Sequence, residues 1–151
     1  MPTAIHRIVE QCRAKAYPAM LARLPSGWAV MGGSQFLTGY SLLLPDPVVP
    51  HLNSLSDSER RQFLIDMANL GDAVLASTGA VRINYAMFGN VEPALHAHVI
   101  PRSSSEAAAM QTAHPWAYDW NAAPQFSMAH HGSLQLAIRA RLIGTGDVLA
   151  K

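Results

Sequence analysis

"SLSDSERRQFLIDMANLGDAVLASTG", residues 54–79, is the longest stretch with one regular reading. Ser56 stands three residues before Glu59, the spacing at which a serine hydroxyl and a glutamate carboxylate cap each other's backbone N–H groups. Gly79 supplies a left-handed stop. Between them Phe63, Leu64, Met67, Leu70, Val74 and Leu75 recur at helical spacing and form one apolar stripe. Such a helix needs a sheet to lie on.

The flanks supply strands. Before the helix, "WAVM" (28–31) and "FLTGYSLLL" (36–44) read as strands joined by the Gly-Gly-Ser turn at 32–34. Pro45, Pro47 and Pro50 then make a rigid exit. After the helix, "VRINYAMF" (81–88) alternates as a strand, residues 89–93 turn, and residues 94–100 form the next strand. Consecutive strands around one long helix predict an α+β domain with a mainly antiparallel sheet, not a series of βαβ units. At the N-terminus Ile5, Ile8, Val9 and Cys12 mark an amphipathic helix over residues 3–14, and Pro18, Pro25 and Gly27 break the chain after it. Beyond Arg102, "SSSE" starts a short helix, "HPWAYDWNAAPQF" (114–126) is irregular, and Ser133 caps a final helix that runs to about Leu142 and ends at Gly144.

Composition narrows the class of function. Half of the 151 residues are apolar and 14% are charged, as expected of one folded domain spanning 1–151. Eleven basic against 10 acidic residues leave a net charge of +1, which gives no electrostatic case for nucleic-acid or membrane-surface binding. No stretch approaches the ~20 apolar residues of a membrane span. Arg7, Glu10, Arg13 and Lys15 interrupt what would be the core of a signal peptide. Cys12 is the single cysteine, so no intrachain disulfide forms. The expectation is a soluble, cytoplasmic protein with neither a nucleic-acid nor a membrane partner.

Within "PALHAHVIPR" (93–102), His96 and His98 are one small residue apart. With 7 histidines in the chain, that spacing arises by chance in about one such chain in three, so the pair alone is weak evidence. On a strand it places both imidazoles on one face with Ala94, while Leu95, Ala97 and Val99 face the helix. Three readings stand. The pair is a solvated sheet face; or two ligands of a metal completed by His114, His130 or His131; or a nucleophile and its neighbour. An imidazole suits attack on phosphorus because its pKa near 6.5 leaves a lone pair free at neutral pH.

Here the sequence resembles the histidine triad (HIT) superfamily of nucleotide hydrolases and transferases. "NVEPALHAHVIPR" (90–102) matches the second and third histidines of that motif at His96 and His98. Its "HVIPR" ending is similar to the branch that cleaves dinucleoside polyphosphates. Upstream, "TGYSLLLPDPVVPHLNSLSDSE" resembles the family's glycine-led strand, proline-marked exit and helix start, so the resemblance covers residues 28–102 and leaves 103–151 as a C-terminal extension. It implies a five-stranded antiparallel sheet with the long helix packed on it, and a homodimer. It also implies that His96 attacks an α-phosphate and is transiently nucleotidylated, before water releases a nucleoside monophosphate. His98 would contact the phosphate, its proton aiding the departing group. Asn84 and Asn90 fall near the family's amide residues, although either also suits a turn. Arg102 steadies a polyphosphate tail or is a solvated strand end.

Three departures from the pattern stand out. Ala94 replaces the first histidine of the triad, Tyr40 stands where a further histidine often follows the glycine, and Gly32 occupies the place of the residue that holds the ribose. Tyr40 retains a hydrogen-bonding hydroxyl. Trp116, Tyr118 and Trp120 stack a base, form a satellite core or make a subunit contact; His130 and His131 lie in a polar loop. The expected function is cleavage of a nucleoside polyphosphate or phosphoramidate through a covalent nucleotidyl-histidine. No cofactor or metal is required, and Mg²⁺ accompanies a polyphosphate. The rivals are a nucleotide-binding module without turnover and a metal-dependent hydrolase.

Overall fold

A computed structural model describes residues 2–144. Three helices and five strands follow in the order α1 (Ala4–Arg13), β1 (Met20–Leu24), β2 (Gly27–Met31), β3 (Ser41–Pro45), α2 (Asp57–Thr78), β4 (Arg82–Ala86), β5 (Ala97–Arg102), α3 (Met128–Gly144). The strands form one sheet ordered β1-β2-β3-β5-β4, antiparallel in every pairing. The expected α+β architecture, with five antiparallel strands and the long helix, is what the chain adopts.

The long helix starts and stops where its caps predict. The Ser56 hydroxyl accepts from Glu59 N–H, the Glu59 carboxylate accepts from Ser56 N–H, and Gly79 closes the helix at φ +68°. Phe63, Leu70 and Val74 are buried against Leu43, Ala97, Val99 and α3's Ile138 and Leu142. Leu64 is left at the surface. On the other face α1 presents Ile5, Val9 and Cys12 to Val30, Leu42, Leu44 and Ile100. The sheet is thus sandwiched, with α2 and α3 on one face and α1 on the other.

Several elements differ from expectation. β1 lies in a stretch the prolines suggested was broken; it pairs with β2 across a two-residue turn, with a register shift between Met20 and Ala22. Ser26 N–H in that turn donates to the buried Asp66 of α2, which anchors the hairpin to the helix. Residues 36–40 are not strand. The chain from 32 to 40 is a loop knitted by the buried Gln35, whose amide N–H groups donate to Gly32 and Tyr40 carbonyls and whose Oε1 accepts from Gly39 N–H. β5 begins at Ala97, not 94, and continues through Pro101, whose missing N–H the ladder tolerates. "SSSE" forms a turn, with a single 3-10 turn at Ala108–Met110. Finally, α3 starts near Ser127, whose hydroxyl accepts from His130 N–H, so Ser127 rather than Ser133 caps it. His130 and His131 belong to this helix, and His131 is buried with Nδ1 accepting from Ser127 N–H. Residues 145–151 of the C-terminal extension lie outside the described residues.

Candidate functional site

The approach to β5 is held from both sides. Leu95 N–H donates to Val49 O in the proline-rich exit, and Glu92 Oε1 accepts from Ala4 N–H at the start of α1. Ala94 O then points back at the side chain two residues on. His96 Nδ1 lies 2.7 Å from that carbonyl. A carbonyl only accepts, so Nδ1 carries a proton, and in the neutral ring the lone pair is on Nε2.

His98 sits on β5, next to the edge strand, opposite Leu42 on β3 and Ala86 on β4. Its ring meets that of His96 edge-on, centroids 4.8 Å apart. The Tyr40 hydroxyl is 2.6 Å from His98 Nδ1. Burial raises the Tyr40 phenol, so it stays protonated; with that hydroxyl as the donor to Nδ1, the His98 proton stands on Nε2. Burial, and secondarily the neighbouring His96, lower the His98 pKa to about 4, which makes it a neutral imidazole at physiological pH.

An aromatic cover closes over His98. Trp116 and Trp120 both present to the His98 ring edge-to-face, at 5.0 and 6.1 Å, and stack on each other at 5.0 Å. Phe36 stacks on Trp120 at 3.8 Å and Phe88 packs against Trp116. His96 and His98 retain 7% and 8% exposure, while Trp116 stays 45% exposed. A groove of about 880 Å³ runs alongside β4, lined by Asn84, Tyr85, Phe88, Arg102, His114 and Trp116; neither His96 nor His98 lines it.

Arg102 fastens the cover. Its side chain is buried, and its five N–H donors meet Glu106 through Nε and Nη2, Asn84 Oδ1 and Ala113 O through Nη1, and Met110 O through Nη2. It is therefore neither a solvated strand end nor a guanidinium left open to a ligand. Burial pushes the Glu106 carboxyl up, but hydrogen bonds from Arg102, Tyr118 and Ser103 outweigh it and hold it below the usual carboxylate range. The strap is completed where Gln35 N–H donates to Pro124 O and Phe126 N–H to Gly33 O.

The expected residues therefore divide. His96, His98 and Tyr40 converge. Asn84 shares their face of the sheet, but its Oδ1 is engaged by Arg102; Asn90 is exposed on the bend at 89–92. Among the described residues no three His, Cys, Asp or Glu side chains gather as a metal-ligand set. Glu106 and Gln35 carried no motif in the sequence, since their work is to hold backbone and side chains brought together only by folding.

No protein-family profile matches the chain, and no curated protein matches it in sequence. Solved structures do match. A histidine triad protein from Bradyrhizobium japonicum is 20% identical, with 86% of this chain and 94% of that one covered at a TM-score of 0.72. A hypothetical histidine triad nucleotide-binding protein from Sulfolobus tokodaii is 12% identical, covering 91% and 92% at 0.71. A zinc-bound histidine triad family protein from Mycobacterium smegmatis is 14% identical, covering 88% and 90% at 0.64. The chain has the fold of the histidine triad proteins.

Proposed function

We propose that the protein is a nucleotide phosphohydrolase or nucleotidyl transferase working through a covalent nucleotidyl-histidine. One observation carries this reading: the bond from His96 Nδ1–H to Ala94 O, which aims an unprotonated Nε2 away from the backbone. That lone pair attacks the α-phosphorus, an N–P bond forms as the bond to the leaving group breaks, and Nδ1–H stays on the carbonyl. His98 Nε2–H donates a hydrogen bond to a phosphoryl oxygen. Water then displaces His96 and releases a nucleoside monophosphate. Arg102 and Asn84 act through the cover they fasten, and Trp116 and Trp120 supply planar surface for a base. The 7% exposure of His96 requires the corner to open further for a substrate.

The expected substrate is a nucleoside polyphosphate, such as a dinucleoside polyphosphate, or a nucleoside phosphoramidate, with Mg²⁺ present as the counter-ion of a polyphosphate. Two copies are expected to pair through β4. It is one of the sheet's two edge strands, and Tyr85 on it, and Val81 and Phe88 flanking it, stand 42%, 58% and 55% exposed.

A panel of nucleoside polyphosphates and phosphoramidates, run with and without a strong chelator, tests the reading. His96→Ala is expected to lower kcat/KM by at least ~10³-fold while leaving the melting temperature near that of the wild type. Activity that survives this substitution would refute the assignment. A second reading, a nucleotide-binding module without turnover, draws support from Ala94 in place of a triad histidine and from the low exposure of His96. Micromolar binding of a nucleoside monophosphate with no turnover of any compound in the panel would establish it.

A further inference from the structure

Gly32 and Tyr40 are two departures from the triad pattern, and in space they are one. A Cβ on Gly32 would lie 2.3 Å from both Cδ2 and Cε2 of the Tyr40 ring, a contact no side chain makes. Gly32 N–H donates to Tyr40 O, and Gln35 bonds the carbonyls of both, so neither backbone is free to retreat. The ring therefore exists in its place only because position 32 has no side chain. What that placement delivers is the hydroxyl at His98 Nδ1.

We infer that Tyr40 is a positioning residue that holds His98 as a hydrogen-bond donor through Nε2, and that this arrangement selects leaving groups that depart as anions. The inference rests on the covalent-histidine reading and narrows its substrate class. The argument is a proton balance. When a phosphoanhydride is cleaved, the N–P bond forms, the P–O bond breaks, and the leaving phosphate takes the electron pair as a stable oxyanion; no proton is needed. When a phosphoramidate is cleaved, the departing nitrogen must receive a proton. His98 has one on Nε2, but giving it up would leave an imidazolate unless Tyr40 passed its own proton to Nδ1. That relay would create a phenolate at a site 4% exposed, packed beside the rings of Phe36 and Trp120. Ala94 removes the other imidazole the triad would place on this face. The lowered His98 pKa agrees with this geometry, since a neutral ring holds no spare proton to lend.

The test compares two compounds sharing one nucleoside monophosphoryl group, an anhydride and an alkyl phosphoramidate, alongside imidazole ¹⁵N NMR of the unliganded protein. Wild type is expected to favour the anhydride in kcat/KM by about 100-fold or more, the worth of a missing general acid. Tyr40→His, which puts a chargeable ring beside His98, should narrow that preference at least tenfold. The NMR arm should find His98 protonated on Nε2 in wild type and a tautomer mixture in both Tyr40→Phe and Gly32→Ala, at unchanged far-ultraviolet circular dichroism. Equal or better use of the phosphoramidate by wild type would overturn the specificity claim. A His98 protonated on Nδ1, or a tautomer indifferent to Tyr40→Phe, would overturn the positioning claim whether or not the protein turns over. Absence of turnover on both compounds, with the tautomer as expected, would instead sink the proposed function and leave Tyr40 in its role.

Discussion

His98 carries its pKa as a cost to the fold in acid. Its folded value of about 4 lies below the ordinary 6.5, so the unfolded chain binds the proton that the folded chain refuses. Stability from this group is complete above pH 6.5 and is lost as pH falls toward 4, by about 1–2 kcal/mol once partial solvent screening is allowed for. Denaturant titrations between pH 7 and 4 should show this decline, and it should flatten in His98→Gln. A decline unchanged by the substitution would place the acid sensitivity elsewhere. The depressed Glu106 carboxyl acts in the same direction at lower pH, since its stabilisation is present above the unfolded carboxylate pKa and fades as the carboxylate is protonated. In this corner the sequence reveals the histidines and the Tyr40 hydroxyl but not the bond between them. Strand periodicity put His96 and His98 on one face, but the bond from Tyr40 and its dependence on Gly32 come from a loop whose path is set by Gln35.

At the scale of elements, legibility followed how local the deciding interactions are. The caps of α2 are made within four residues, so Ser56, Glu59 and Gly79 announced its ends; Ser56→Ala should cost about 1 kcal/mol by denaturant titration. β1 was hidden because its evidence is non-local, a ladder to β2 and packing under α2 and α3, while Pro18 and Pro25 crowd its five residues. The start of the final helix is ambiguous in sequence because Ser127 and Ser133 offer the same chemistry, and only the fold chooses between them. The segment 103–127 was opaque for a further reason. Its order comes from a buried ion pair, Arg102 with Glu106, whose side chains are 7% and 4% exposed. Removing one partner of such a pair strands the other charge, so Glu106→Ala should destabilise the protein by about 3–5 kcal/mol. Amide hydrogen exchange should rise first across residues 103–120; uniform acceleration over the whole chain would contradict a clamp confined to the cover.

For the molecule as a whole, the sheet divides labour between its faces. One is filled by α2 and α3 and holds the larger core, where Phe63→Ala should cost about 3–5 kcal/mol. The other carries α1 at one end and, at the other, His96 and His98, the latter under the aromatic cover. No helix of the described residues is long and apolar enough to cross a membrane. The near-zero net charge leaves any phosphate to be held by a few local donors rather than by a basic surface. All of this converges on the lone pair of His96. Its most direct test is single-turnover mass spectrometry on protein mixed with a nucleoside polyphosphate and quenched in alkali. The account predicts an acid-labile nucleotidyl adduct mapping to His96 and absent from His96→Ala; a bound nucleotide with no adduct, or an adduct on any other residue, would contradict it.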